Sequence, residues 1–243
     1  MKSKFNNMTT TVLILIWIQG SLSLNAQHQQ ISWSTMDDIR RVTQLATIER
    51  WETVREDKGV KLSYRWLTFG DSLKTREIAA HFMVDADYRS LLACLMTPEK
   101  MLAWNDGVRS FNVHQQEGFT WITHTVYDIP YPFSQQDLVV KNVMIQEKQK
   151  TTILLSASPD YIEPLKNVNR QQLYFGKWEL KILDNSSTEV KFSAISFSKS
   201  SVPRFIRDPI VQNKLFNSFV RLKELSAVTA LKDDMVLRTN NSM

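Results

Sequence analysis

Residues 203–226, near the C-terminus, read PRFIRDPIVQNKLFNSFVRLKELS. Apolar residues recur in this stretch at helical spacing. Five of them form one seam and four more widen it: Val211, Leu215, Phe219, Leu222 and Leu225, then Ile206, Ile210, Phe216 and Val220. A helix that is apolar over so wide an arc has to be largely enclosed by other elements. The sequence therefore predicts a long closing helix that the rest of the fold surrounds.

The middle of the chain alternates polar and apolar residues with the period of two that is typical of β-strands. Residues 60–69 (VKLSYRWLTF) and 75–84 predict a hairpin around the turn at Gly70 and Asp71. Five more strands are predicted downstream: 119–128, 137–146, 151–156, 171–183 and 188–197. The segment 158–170 is too long and too rich in Pro and Asn for a tight turn, so we expect an Ω-type loop there.

Helical periodicity returns in two further regions. Ile39, Val42, Leu45, Ile48 and Trp51 recur every three residues, which predicts an amphipathic N-terminal helix over 33–51. Two short helices are predicted over 88–96 and, restarted by Pro98, over 98–104. The fold class is therefore α+β: one curved antiparallel sheet of about seven strands around the closing helix. Such a sheet leaves room beneath the helix, and that room is a candidate pocket.

The first 26 residues have the organisation of a secretory signal peptide. Lys2 and Lys4 precede the apolar run VLILIWI at 12–18, and Ala26 follows a short polar region. Seven strongly apolar residues are too few to cross a bilayer, which takes about 20. We expect cleavage after Ala26 and export to the periplasm or the extracellular space. The mature domain is then 27–230, and the polar residues of 231–243 predict a flexible tail.

The composition is that of an ordinary globular protein. Of 243 residues, 43% are hydrophobic and 23% charged, with 6 Gly and 7 Pro, which excludes disordered and collagen-like chains. The net charge of +5 is mild and no basic run is interleaved with aromatics, so no nucleic-acid partner is expected. Cys94, the single cysteine, lies in the apolar run LLACLM and is predicted to be a buried hydrophobe. The four His residues form no pair at metal-ligand spacing, so we expect neither a metal nor another cofactor.

Residues 127–140 read YDIPYPFSQQDLVV. This resembles the segment of START domains, the lipid-transfer domains related to the steroidogenic acute regulatory protein, in which a Pro-aromatic-Pro step and an Asp lead into a strand. In that family Arg usually precedes the Asp, whereas this chain has Gln136, so the resemblance carries no Arg-based pairing to this corner. The segments EIAAHFMVDAD at 77–87, MLAWND at 101–106 and VPRF at 202–205 agree with the family's order. The resemblance covers about residues 35–227.

The resemblance implies the helix-grip fold and a tunnel between the sheet and the closing helix. It also implies that one lipid or other hydrophobic small molecule binds there without chemistry. We expect a monomer that makes transient contact with a membrane surface.

The corner itself has a physical explanation that does not depend on the family. Pro130 and Pro132 fix the backbone on each side of Tyr131, so this step is stiff. Ser134 and Asp137 are placed to bond local backbone amides where the next strand begins. We interpret all four as structural residues.

An apolar guest needs bulky apolar walls and few polar atoms. Alternation predicts that Phe119, Trp121, Thr123, Thr125 and Tyr127 share the inner face of one strand, and Tyr174, Gly176, Trp178, Leu180 and Ile182 that of another. The candidate ligand contacts are Trp104, Trp121, Thr123, Tyr127, Tyr174, Trp178, Ile206 and Ile210. The phenols of Tyr127 and Tyr174 are the best polar handles, because a buried phenol needs a partner.

Two other functions remain open from the sequence. An enzyme on the same scaffold, such as a cyclase or hydrolase, would need an acid and a base in the tunnel, and His124 with Asp128 is the only local candidate. A ligand-free interaction module of the cell envelope would instead fill its interior with its own aromatic side chains.

Overall fold

The computed structural model describes residues 44–71, 73–129, 134–184, 186–197 and 204–240. Within these ranges only the backbone is described at residues 115, 204–207 and 231–240. All of the described residues belong to one compact unit. The predicted signal peptide and residues 33–43 of the predicted N-terminal helix lie outside the described residues. None of the described helices has the length and hydropathy needed to span a bilayer.

Three helices are described: α1 (Tyr88–Met96), α2 (Pro98–Trp104) and α3 (Arg204–Asn240). The Asp87 carboxylate caps α1 by accepting a hydrogen bond from the Arg89 amide at 2.7 Å. Pro98 occupies the first turn of α2, where a missing N–H costs nothing. The prediction of two short helices separated at Pro98 is confirmed.

Eleven strands form one curved, open sheet in the described part of the chain: β1 (Ala46–Ile48), β2 (Glu52–Asp57), β3 (Val60–Phe69), β4 (Leu73–Val84), β5 (Val108–Glu117), β6 (Thr120–Tyr127), β7 (Gln135–Glu147), β8 (Lys150–Ala157), β9 (Val168–Arg170), β10 (Tyr174–Ile182) and β11 (Thr188–Ser196). The order is β1-β3-β4-β11-β10-β8-β7-β6-β5, with β2 beside β3 and β9 beside β7. All pairs are antiparallel except β7 with β9. The antiparallel sheet with a long C-terminal helix is confirmed.

The predicted number of strands is wrong, since the described sheet has eleven and not seven. Part of the difference lies at the N-terminus, where β1 occupies residues that we predicted to be helix and β2 follows them in residues for which we predicted no element. β1 pairs with β3, from Ala46 opposite Phe69 to Ile48 opposite Leu67. The edge of β3 offers these residues backbone hydrogen bonds, and this tertiary pairing overrides a weak helical periodicity.

Two further strands, β5 and β9, lie in residues for which the sequence pattern predicted no strand. The β5 sequence VRSFNVHQQE is mostly polar, and its pairing with β6 shifts register twice. Each shift breaks the alternation by which strands are recognised in a sequence. β9 has three residues and ends the predicted Ω-type loop.

The closing helix α3 is confirmed and is longer than predicted, because it continues to Asn240. Phe216, Phe219 and Leu222 are at most 2% exposed and pack beneath the sheet. Phe219 contacts the rings of Phe82, Phe192 and Trp178 at centroid distances of 5.4 to 6.1 Å. This aromatic cluster is the centre of the core, and three of its rings line the pocket between the sheet and the helices. The flexibility of 231–243 stays a prediction.

Candidate functional site

A pocket of about 160 Å³ lies between the sheet and the helices. The described residues that line it come from β5–β8, β10 and β11 on one side and from α1, α2 and α3 on the other. Six of the eight predicted ligand contacts are among them: Trp104, Trp121, Thr123, Tyr127, Tyr174 and Trp178. The structure thus brings together residues from three elements, α2, β6 and β10, and their contact with a ligand stays a prediction.

The other two predicted contacts do not line the pocket in the described structure. Ile210 is 45% exposed and Val211, its neighbour in the predicted seam, is 39% exposed. These two side chains of α3 therefore face solvent. Ile206 lies where only the backbone of α3 is described.

Alternate residues of β6 form one wall of the pocket. Trp121, Thr123, Thr125 and Tyr127 all line the pocket, as predicted. Phe119, the first member of the predicted set, is 57% exposed because it precedes the strand, in the turn that joins β5 to β6.

Aromatic side chains fill part of the interior. The Trp178 ring lies 4.5 Å from Phe192, 6.1 Å from Phe219 and 6.4 Å from Trp104, measured between centroids. The indole N–H of Trp104 is bound internally, since it donates to the Cys94 carbonyl at 2.9 Å. The pocket is the space that these rings leave open.

Two phenols are the most distinctive polar groups of the pocket. Tyr127 and Tyr174 both line it, and within the described part of the chain neither hydroxyl has a hydrogen-bond partner. Burial raises the pKa of Tyr127 to about 12. Burial also raises the pKa of Tyr174, and the nearby Tyr127 phenol raises it further. Both phenols therefore keep their protons at neutral pH and act as hydrogen-bond donors.

Three other polar side chains of the lining, those of Thr123, Asn142 and Ser218, are hydrogen-bonded within the protein, whereas the Thr125 hydroxyl has no partner among the described residues. The Asn142 amide nitrogen donates to Thr123 Oγ1 at 3.1 Å and to the carbonyls of Trp121 and Val140 at 3.2 Å. Ser218 Oγ donates to the Lys214 carbonyl and accepts from the Asp106 amide. These bonds hold the wall rigid and leave the phenols facing the open space.

Gly176 makes room for one of the phenols. A Cβ at this position would lie 3.0 Å from the Tyr174 hydroxyl oxygen and 3.3 Å from its Cε1. The Tyr174 ring therefore lies over Gly176, two residues along the same strand face. A side chain there would push the hydroxyl away, so Gly176 sets the position of the phenol.

None of the described lining residues carries a charge, whether acidic, basic or imidazole. His124, the predicted acid–base candidate, belongs to the opposite face of β6, and its partner is not Asp128. Its Nε2 lies 2.8 Å from Asp137 Oδ2.

Asp137 is the centre of a buried network outside the pocket. It is fully buried, and its carboxylate accepts two hydrogen bonds from Arg170, at 2.8 Å from Nε and 2.7 Å from Nη2. Arg170 also donates to the carbonyls of Pro159 and Ile162 at 2.6 and 2.8 Å. The prediction that Asp137 bonds local backbone amides is therefore wrong. Its carboxylate pairs instead with the guanidinium of Arg170, 33 residues away in the sequence.

The corner before β7 is braced by a residue that the sequence analysis did not single out. Gln135 accepts from the Ile129 amide at 3.1 Å and donates to the Ile129 carbonyl at 2.5 Å. Ser134 is exposed, and among the described residues it has no hydrogen-bond partner. Pro130 and Pro132 lie outside the described residues.

The predicted Ω-type loop leaves and rejoins the sheet at one place. The Ser158 amide donates to the Val139 carbonyl and the Gln171 amide to the Asp137 carbonyl, both at 2.9 Å. Its two ends are therefore anchored two residues apart on β7, and Arg170 ties its interior to the same strand.

Comparison with solved structures identifies the fold. A STAR-related lipid transfer protein from Xanthomonas axonopodis superposes with a TM-score of 0.63 at 18% identity, over 73% of this chain and 99% of that one. Human STARD10 gives 0.64 at 13% identity, over 79% and 80%, and human StAR-related lipid transfer protein 5 gives 0.60 at 15%, over 79% and 90%. The protein therefore has a START-like fold, as its sequence resemblance indicates.

Sequence comparison adds one relative. An uncharacterized protein of Pseudomonas aeruginosa is 23% identical over 180 residues, which are 73% of this chain and 87% of that protein. No protein-family model matches the chain.

Proposed function

We propose that this protein binds a hydrophobic small molecule, a lipid or a similar compound, in the pocket between the sheet and α3. The observation that carries the proposal is the pocket of about 160 Å³ between the sheet and the helices. Its START-like fold supports the proposal, because three structures that share it are named as lipid transfer or START-related proteins. Burial of apolar surface, at about 25 cal/mol per Å², supplies the binding energy.

The size of the pocket limits what it holds in this conformation. A cavity of about 150 Å³ is known to hold one benzene molecule, and this pocket measures about 160 Å³. It therefore accommodates a ring or a ring-sized part of a lipid. A whole lipid requires that α3 or the aromatic cluster move, or that part of the guest stay outside.

We assign no chemistry to the pocket. Acid–base catalysis needs titratable groups near the reacting atoms, and His124 is held on the other face of the sheet by Asp137. The two phenols keep their protons at neutral pH, so they are suited to hydrogen bonding. The alternatives to this proposal are a cyclase or hydrolase and a ligand-free interaction module. The binding experiments test the proposal against them.

The location and assembly of the protein are part of the proposal. The sequence of residues 1–26 supports export, so we propose that a monomer works in the periplasm or outside the cell. There it would meet membrane surfaces transiently and pass its ligand between them. Cell fractionation tests the location, and exchange of a labelled lipid between two vesicle populations tests the transfer.

The binding proposal is tested by isothermal titration calorimetry with ethylbenzene, a ring-sized apolar probe. Thr125→Phe places a bulky ring in the pocket and should weaken binding at least about tenfold. Thr120→Phe is the matched control, because the same change on the same strand lies on the opposite face. Equal affinity of both variants and the unchanged protein would show that the probe binds elsewhere.

A further inference from the structure

We propose that the pocket selects an uncharged molecule that presents a hydrogen-bond-accepting oxygen to the hydroxyls of Tyr127 and Tyr174. This inference rests on the proposed function and adds the chemical class of the ligand. Its basis is the combination of a described lining without charges, two phenols of that lining without partners among the described residues, and a glycine that positions one of them.

The lining disfavours a charged guest. A buried ion needs an opposite charge or several hydrogen bonds, because desolvation costs several kcal/mol for each ion. No described lining side chain offers a charge. Carboxylates, phosphates and ammonium groups therefore have to remain outside, where water solvates them.

The phenols also disfavour a pure hydrocarbon. A buried donor that loses its water without gaining an acceptor is penalised, so a guest without oxygen leaves both hydroxyls unsatisfied. Tyr127 lies close enough to Tyr174 to raise its pKa. Both phenols line the same pocket, so a guest with an oxygen function meets a hydroxyl donor there.

Gly176 is a positioning residue for this recognition. The space above it holds the Tyr174 hydroxyl, and a methyl group would approach that oxygen to 3.0 Å. A contact this tight displaces the phenol while its hydroxyl remains present. Gly176→Ala thus changes the position of the Tyr174 hydroxyl donor, whereas Tyr174→Phe removes the donor.

The test compares three probes of similar size by isothermal titration calorimetry at neutral pH: ethylbenzene, 4-ethylphenol and 4-ethylbenzoate. We expect 4-ethylphenol to bind about 2- to 10-fold more tightly than ethylbenzene, which is the value of one net hydrogen bond. We expect 4-ethylbenzoate to bind at least about 100-fold more weakly than 4-ethylphenol.

Variants identify the groups responsible. Tyr127→Phe and Tyr174→Phe should each reduce the preference for 4-ethylphenol over ethylbenzene, and ethylbenzene should bind at least as tightly because the unsatisfied hydroxyl is gone. Gly176→Ala should reduce the same preference while both hydroxyls remain present. Tyr88→Phe, in a half-buried tyrosine that does not line the pocket, is the control and should change neither the preference nor the affinity for ethylbenzene. Circular dichroism verifies that each variant is folded.

The outcomes separate this inference from the proposed function. If ethylbenzene binds as tightly as 4-ethylphenol, or if 4-ethylbenzoate matches them, the pocket binds apolar rings but the inference about its ligand is wrong. If the tyrosine variants keep the preference, the hydroxyls are not the recognising groups. If none of the three probes binds, the proposed function itself fails.

Discussion

Replacing Arg170 by Met should destabilise the protein by about 3–5 kcal/mol, because it leaves Asp137 as a buried charge without its main partner. The side chains of Arg170 and Asp137 are 4% and 0% exposed. The variant loses two charge-assisted hydrogen bonds to the carboxylate and three to loop carbonyls. This loss is a large fraction of the roughly 5–15 kcal/mol that stabilises a typical domain.

Two further variants calibrate this value. Arg170→Lys keeps the charge, but an ammonium cannot reproduce the two-pronged pairing, so we expect an intermediate loss. Lys61→Met removes a surface ion pair with Glu56 whose side chains are 45% and 63% exposed. That change should cost less than about 1 kcal/mol.

Urea unfolding followed by tryptophan fluorescence and circular dichroism gives the three free energies of unfolding. Hydrogen exchange adds a local measurement, in which the Ser158 and Gln171 amides should exchange faster in Arg170→Met. If this variant loses no more stability than Lys61→Met, the network does not hold the loop and our reasoning is refuted.

The same network predicts a pH dependence. Burial by itself raises the pKa of Asp137, but the hydrogen bonds and charges of Arg170 and His124 outweigh burial and bring it below the ordinary 3.8. The stabilisation is therefore complete above that ordinary value and is lost as the pH falls through the lower pKa of the folded state. An acid titration followed by circular dichroism should show unfolding at a higher pH in Arg170→Met than in the unchanged protein.

Three other predictions concern the pocket and the core. The pKa of Tyr127 is raised from 10.0 to about 12. Its contribution to stability is therefore complete below pH 10 and is lost as the pH rises towards the pKa of the folded state. Urea unfolding at several alkaline pH values should show a smaller loss of stability in Tyr127→Phe than in the unchanged protein. Phe216→Ala should lower the free energy of unfolding by about 3–5 kcal/mol. Phe119 is 57% exposed, so Phe119→Ala should lower it by less than about 1 kcal/mol. Thermal and urea unfolding measure both changes. Gln135→Ala should cost about 1–2 kcal/mol and accelerate exchange of the Ile129 amide, and unchanged exchange would contradict the bracing role.

Periodicity in the sequence predicted much of the fold because it reports which face of an element is buried. β3 has the predicted bounds, 60–69, and the alternation of β6 predicted the side that faces the pocket. Periodicity failed where tertiary pairing decides the structure. Residues 46–57 are edge strands because β3 offers them an unpaired edge, and β5 has two register shifts that hide its alternation.

The candidate site was predictable to the same extent. Trp121, Tyr127 and Tyr174 follow from strand alternation, because side chains two residues apart share a face. The partner of Asp137 does not follow from any local pattern, because Arg170 reaches it through the parallel pairing of β9 with β7. Because Gln136 precedes Asp137, we expected no Arg-based pairing at this corner, and this expectation is wrong, since Arg170 of β9 pairs with Asp137.

Native mass spectrometry of the mature protein, purified under gentle conditions from its own host, measures most directly whether the protein is a carrier. We predict one bound molecule per chain, apolar and uncharged, whose signal is lost in Thr125→Phe and kept in Thr120→Phe. A chain that carries no such molecule and also fails to exchange a labelled lipid between vesicles would contradict the account.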